Sequence, residues 1–253
     1  MIKFYVISKL VLMKGSKCSE EGNNYEKCIY NILKNTKIHD KKFNTQQETE
    51  LGGSTSKNDI ECNYIAEGDV GIEIKKSNTP DWMQCSIKYD KAKKIWIPSI
   101  RGKIPDKCRE IFKEIINNIN LFDGETPSFM QRKITHEEWL KIKKETDKWD
   151  DKYIYINDDT IKRLYKEKGC SYIQISEYGL YHLGEDVCEF GVPEFILPQR
   201  LRIRTKIHTR KDRHGYCKMS VIIACQPTNI KLLQKSKYSL DTIEKLPNKL
   251  FIN

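Results

Sequence analysis

Three residues combine the types and spacing that phosphodiester chemistry needs: Asp59, Glu73 and Lys75. Asp59 opens the β-prone run 59–65, and Glu73-Ile74-Lys75 closes a second run, 70–75. Ala66-Glu67-Gly68-Asp69 separates the two, a spacing that predicts an antiparallel hairpin. Strand side chains alternate, so Glu73 and Lys75 share a face, roughly 6–7 Å apart along the chain. Asp59, on the neighbouring strand, can come alongside Glu73. Two carboxylates so placed form an oxygen-ligand site for a divalent ion, magnesium first, with manganese as the alternative. Lys75 beside that ion can orient or deprotonate a water and stabilise phosphate charge. Asp69 competes for the ligand role, but four residues from Glu73 in one strand it would lie about 13 Å away. It is read as a turn residue.

The triplet acid-x-Lys is not itself informative in a lysine-rich chain. It also occurs at Asp40-Lys41-Lys42 and Asp150-Asp151-Lys152, and only Glu73-Ile74-Lys75 lies in an apolar β-branched strand behind a second acid-led strand. The elements that must hold this hairpin follow from periodicity. Tyr25, Cys28, Ile29, Ile32 and Leu33 recur at helical spacing and predict a helix over 23–37, followed by a polar loop over 40–58. Pro80 and Asp81 read as the start of a helix over 81–89, and 94–97 as a strand. Helices are expected over 104–120, 135–149 and 158–168. Thr135-His136-Glu137-Glu138 forms a capping box at the second of these. Strands follow at 172–175 and 181–183 with a turn at Glu177-Tyr178-Gly179, then a hairpin of 200–210 with 217–225.

That last hairpin carries the second chemical feature. Arg200, Arg202, Arg204, Lys206, His208 and Arg210 alternate with Leu201, Ile203, Thr205 and Ile207, and Arg213 sits in the turn. Side chains at period two make a basic strip about 33 Å long, able to follow backbone phosphates, and a two-stranded ribbon can enter a major groove. The bland reading is a charged edge protected against aggregation.

On Asp59 and Glu73-Ile74-Lys75, with Glu26 in Tyr25-Glu26-Lys27-Cys28-Ile29-Tyr30, the chain resembles the PD-(D/E)xK phosphodiesterase superfamily, the restriction-endonuclease-like fold. The family pattern is a helix bearing an acid, an Asp entering the second core strand, (D/E)xK on the third, then a helix, here the segment from Trp82 to Tyr89. Gln84 and Tyr89 loosely resemble a Gln-Tyr pair of RecB-like members, one residue too far apart, and Asn58 stands where the family usually has Pro. The resemblance implies that Asp59 and Glu73 ligate the metal, that Lys75 activates water, and that Glu26 is an accessory acid or second-metal ligand. It implies a metal-dependent endonuclease acting on double-stranded DNA, with RNA the lesser expectation, in the manner of a restriction enzyme or of a viral or repair nuclease. The alternative class is a non-catalytic DNA-binding or virion-associated protein that keeps the fold. A homodimer would suit double-strand cutting.

Composition sets limits. In 253 residues, 45 Lys+Arg against 35 Asp+Glu give a net charge of +10. The excess lies in 200–253, centred on the basic strip, although lysine enrichment is also what an AT-rich coding sequence produces. No apolar stretch is long enough for a membrane span, and Lys9 interrupts the apolar run 6–13, which argues against a secretory signal. The nine cysteines include no C-x-x-C pair. They read as reduced thiols, Cys28, Cys62 and Cys225 among them filling the core, in a reducing compartment such as cytoplasm, nucleus or virion. His182 and His136 read as structural. A ββα nuclease site at His208, Arg213 and His214 is rejected, since a strand follows. The expected fold is α/β: a restriction-endonuclease-like mixed β-sheet core flanked by helices, with a helical insertion and a basic C-terminal β-hairpin. The expected division is 1–100 for the first part of the core, 101–170 for a helical insertion or side layer, and 171–253 for a β-rich part with the DNA-contacting hairpin.

Overall fold

The computed structural model describes residues 20–38, 41–42, 59–64, 68–100, 104–124, 126–127 and 133–252. The run 6–13 and all but two residues of the polar stretch 40–58 lie outside these. The chain forms a mixed α/β structure of two compact units, one of residues 1–80, 165–197 and 229–253, the other of 81–164 and 198–228. Each of the stretches 1–100, 101–170 and 171–253 thus contributes to both.

In the first unit, α1 (20–33) presents Ile29, Tyr30 and Leu33 to the apolar cluster formed with Val70, Ile72 and Ile74 of β4 (Gly68–Lys75). The helix stops short of the expected residue 37. The Thr36 hydroxyl donates to the Leu33 carbonyl at 2.8 Å, and β1 (Thr36–Ile38) pairs with β2 (Lys41–Lys42) and β12 (Leu250–Ile252). The main sheet runs β3-β4-β8-β9, with β3 (Ile60–Tyr64) antiparallel to β4, β4 parallel to β8 (Cys170–Ile175), and β9 (Gly179–His182) antiparallel to β8. Since Val70, Ile72 and Ile74 face α1, the pleat puts Glu73 and Lys75 on the other face. The expected hairpin is present, but β4 begins at Gly68, so Asp69 is a ladder residue opposite Asn63 and not a turn residue.

A buried polar network fixes α1 next to the site. The Gln174 amide donates to the Tyr25 hydroxyl and to Ser239 Oγ, each at 3.1 Å, and accepts from the Leu240 N–H at 2.9 Å. Tyr25 then donates to Asp241 at 2.5 Å. With its polar atoms satisfied, Gln174 is tolerated in the core, and Tyr25 immediately precedes Glu26.

The second unit is built on a five-stranded antiparallel sheet, β6-β5-β11-β10-β7: Ile95–Pro98, Met83–Asp90, Cys217–Pro227, Gln199–Lys211 and Lys152–Ile156. The helix expected over 81–89 is β5. Met83, Cys85 and Ile87 are buried while Gln84 and Lys88 are exposed, a period of two that pairing with β11 uses in full. Gln84 and Tyr89 therefore belong to a strand, and their likeness to a helical Gln-Tyr pair falls away. The remaining helices agree with expectation: α2 (Asp106–Asn117), α3 (His136–Glu145) and α4 (Thr160–Glu167). The Thr135 capping box is complete, with Glu138 N–H on Thr135 Oγ1 at 3.1 Å and Thr135 N–H on the Glu138 carboxylate at 2.7 Å.

Trp82, Trp96 and Trp139 are core residues, and Cys225 is fully buried. Cys28 is exposed, contrary to its core assignment, because it lies off the α1 face that carries Ile29 and Leu33. The Cys62 side chain lies outside the described residues. Among the described residues no helix is long and apolar enough to cross a membrane.

Candidate active site

The β3–β4 register pairs Ile60 with Ile72, so one step further Asp59 meets Glu73. The structure brings together the residues that spacing singled out. Lys75 Nζ lies 2.5 Å from Glu73 Oε1 and 3.5 Å from Asp59 Oδ2, and donates to the Ile74 carbonyl at 3.0 Å. Asp59 Oδ2 also accepts the Ile74 N–H at 2.8 Å, which ties the carboxylate to the strand it faces. An ammonium thus occupies the point on which both carboxylates converge.

Three further groups close the site, none marked by sequence reasoning. Lys168 Nζ lies 2.6 Å from Glu73 Oε2, so each Glu73 oxygen carries its own ammonium. The Tyr165 ring, in the last turn of α4, holds Lys75 at 5.7 Å and Lys168 at 5.6 Å from its centroid, within cation–π range. The Cys170 thiol, at the start of β8, points to Glu73 Oε2 at 3.7 Å. Gly169, with φ of 85°, makes the turn from α4 into β8 that aims Lys168 at this oxygen, a backbone conformation that glycine adopts without strain. Lys168 had no signal of its own. Its role depends on the parallel pairing of β4 with β8, and no local pattern specifies that pairing.

Electrostatics follow from burial and charge. Glu73 is 1% exposed. Burial pushes its carboxyl up, but Lys75 and Lys168 together outweigh burial and hold it below its usual range. Burial likewise works against the Lys75 and Lys168 charges, and the Asp59 and Glu73 carboxylates overcome it, so both ammonium groups are held firmly protonated. Asp59 goes the other way: burial, then repulsion from Glu73, raises its carboxyl. Glu26 on α1 senses the same cluster. Burial first and the Asp59 charge second push it up to about 7. Glu26, Asp59, Glu73 and Lys75 therefore form one interacting set, and Lys168 belongs to it.

The raised Glu26 carboxyl has a measurable consequence. The folded protein retains its proton to about pH 7, whereas an unfolded Glu releases it near 4.5. Where the folded state binds more protons, stability falls as pH rises. The loss runs between those two values. Glu26→Gln removes it, so in chelator the variant should melt with wild type at about pH 4.5 and above it at about pH 8. Equal melting temperatures at the higher pH would contradict this placement of Glu26.

The donor chemistry fits a divalent ion with hard oxygen ligands. Among the described residues no cluster of three or more His, Cys, Asp or Glu side chains is arranged as a cage. Magnesium does not require one, since it is commonly held by one or two carboxylates, with water and substrate phosphate completing its shell. Asp59 and Glu73 are the two carboxylates that could hold such an ion, with an ammonium now on each oxygen of Glu73.

No family model, curated protein or solved structure matches this chain.

The basic strip is divided by its surroundings. Leu201 and Ile203 are buried on one face of β10, as alternation predicts. Arg202 pairs with Asp151 at 2.6 Å and with Asp81 at 3.3 Å, and Arg204 lies 3.4 Å from Asp81. Arg200 bonds Gln226 at 3.1 Å. β10 is flanked by β7 over Gln199–Ile203, and a bulge between Ile207 and Lys211 breaks its register. Only the distal end, with exposed Lys206, Arg210 and Arg213, extends past both neighbouring strands as the two-stranded ribbon that the sequence suggested.

Proposed function

We propose that this protein is a magnesium-dependent nuclease of the PD-(D/E)xK kind, hydrolysing phosphodiester bonds in DNA. The observation that carries the reading is the convergence of Asp59 Oδ2 and Glu73 Oε1 on Lys75 Nζ, from the entry of one strand and near the end of the next. An antiparallel hairpin whose second strand pairs on its other side with a parallel strand, after an intervening crossover, supports the likeness in topology.

A divalent ion at Asp59 and Glu73 would supply Lewis-acid stabilisation of charge developing on the phosphate. The chain's own residues do the rest. Lys75, whose ammonium touches both carboxylates, is placed to donate to the attacking water or a phosphate oxygen. Glu26, poised at about 7, is the group suited to take the proton from that water. The water oxygen bonds to phosphorus, the opposite P–O bond breaks, and its electron pair leaves on the departing oxygen, which gains a proton. Lys168 fixes the far oxygen of Glu73, limiting the carboxylate to one orientation. With all groups ionised, three carboxylates and two ammonium groups sum to one negative charge, which a divalent cation and one phosphodiester balance.

Incubation with supercoiled plasmid tests the reading. Conversion to nicked or linear DNA is expected with magnesium and not with chelator. Binding without nicking under magnesium and manganese alike would favour the non-catalytic DNA-binding alternative.

A further inference from the structure

We infer that the polar face of the five-stranded sheet binds an unpaired DNA strand, with Tyr153 and Tyr155 as stacking platforms and Arg200 as their cationic partner. The inference rests on the nuclease reading and names the strand form held, which locally unpaired stretches of supercoiled plasmid also present; its test needs no turnover, so either can fail alone.

The ladder places these groups together. Tyr155 lies opposite Arg200 and Tyr153 opposite Arg202, on the face that also carries Arg204 and Lys206. Cross-strand pairing adds Gln84 and Lys88 of β5 to that face, both exposed. Leu201, Ile203, Ile223 and Cys225 are buried on the opposite face; on this one Ala224 and Ile222, opposite Arg202 and Arg204, are covered as well, and the exposed groups lie at its margins. Tyr153 and Tyr155 are nevertheless 50% and 80% exposed, on an edge strand. Large rings left out of a core and set among basic groups fit a π-stacking surface better than a packing role.

Arg200 strengthens the point. Its guanidinium stacks over the Tyr153 ring at 4.3 Å, and Gln226 fixes its orientation. Among the described residues no carboxylate pairs with it, so its charge is available to a phosphate or a base. Arg202 and Arg204 differ, being held by Asp81 and Asp151. The exposed part of the face therefore offers rings and one guanidinium without a carboxylate partner, not a row of phosphate grips. A duplex hides its base faces in its own stack, whereas an unpaired strand offers a π-face at every nucleotide.

The test is fluorescence anisotropy in chelator with a labelled oligothymidylate and a duplex of equal length. Wild type should bind the oligothymidylate more tightly than the duplex. Tyr153→Ala/Tyr155→Ala should weaken oligothymidylate binding by at least about tenfold with duplex affinity unchanged, because stacking acts only on the unpaired strand. Tyr155→Phe should retain binding, since the ring and not the hydroxyl is used. Both rings are exposed, so circular dichroism should report an intact fold. Equal wild-type affinity for the two probes, or unchanged oligothymidylate binding in the double variant, would overturn the inference.

Discussion

Lys75→Ala is expected to lower magnesium-dependent cleavage by about 10²–10⁴-fold, the range for a positioned donor or proton-transfer group lost from an active site. Among the described residues the Lys75 ammonium is the group in contact with both carboxylates, and Lys168 cannot replace it because it addresses the other Glu73 oxygen. The fold should persist, since Glu73 keeps Lys168 and Asp59 keeps the Ile74 N–H. Lys75→Arg should not rescue: a planar fork cannot take the place of a compact ammonium between two carboxylates 2.5 and 3.5 Å away. Single-turnover cleavage at saturating enzyme separates this loss from weaker binding. A wild-type rate in Lys75→Ala would remove the chemical role assigned here.

Glu73→Gln should be costly to stability as well as to activity. Glu73 is buried and pairs with two ammonium groups, and taking one partner from a buried ion pair typically costs about 3–5 kcal/mol because the other charge is left uncompensated. Lys75 would still have Asp59, so the orphan is Lys168, whose side chain is only 7% exposed. The loss should appear as a lower urea midpoint at unchanged slope. Glu73→Gln/Lys168→Met should then be more stable than Glu73→Gln alone, a non-additivity expected of groups in contact. A single-variant loss under about 1 kcal/mol would mean that the buried charges are not held as described.

Much of the site was legible because β alternation is a strong local rule. Val70, Ile72 and Ile74 bury one face of β4, and that alone sends Glu73 and Lys75 to the other. The antiparallel hairpin then sets Asp59 beside Glu73. The α3 capping box and the β10–β11 hairpin were readable for the same reason, each being specified within a short window. β5 was misread because Pro80-Asp81 has the chemistry of a helix start, while the period-two burial of Met83, Cys85 and Ile87 answers to β11, far along the chain. Lys168 and Tyr165 were invisible for a related reason. They reach Glu73 through a parallel pairing between residues about a hundred positions apart, across an interposed unit. The strip at 200–210 is one face of a strand as far as Lys206, beyond which a bulge breaks the register, and the carboxylates that hold Arg202 and Arg204 come from Asp81 and Asp151, which no spacing connects to β10.

The most direct test of the central claim compares wild type with Asp59→Asn on one supercoiled plasmid, with magnesium and with chelator. Wild type should nick in magnesium and not in chelator, and Asp59→Asn should nick in neither. Nicking that persists in chelator, or that survives loss of the Asp59 carboxylate, would contradict that claim.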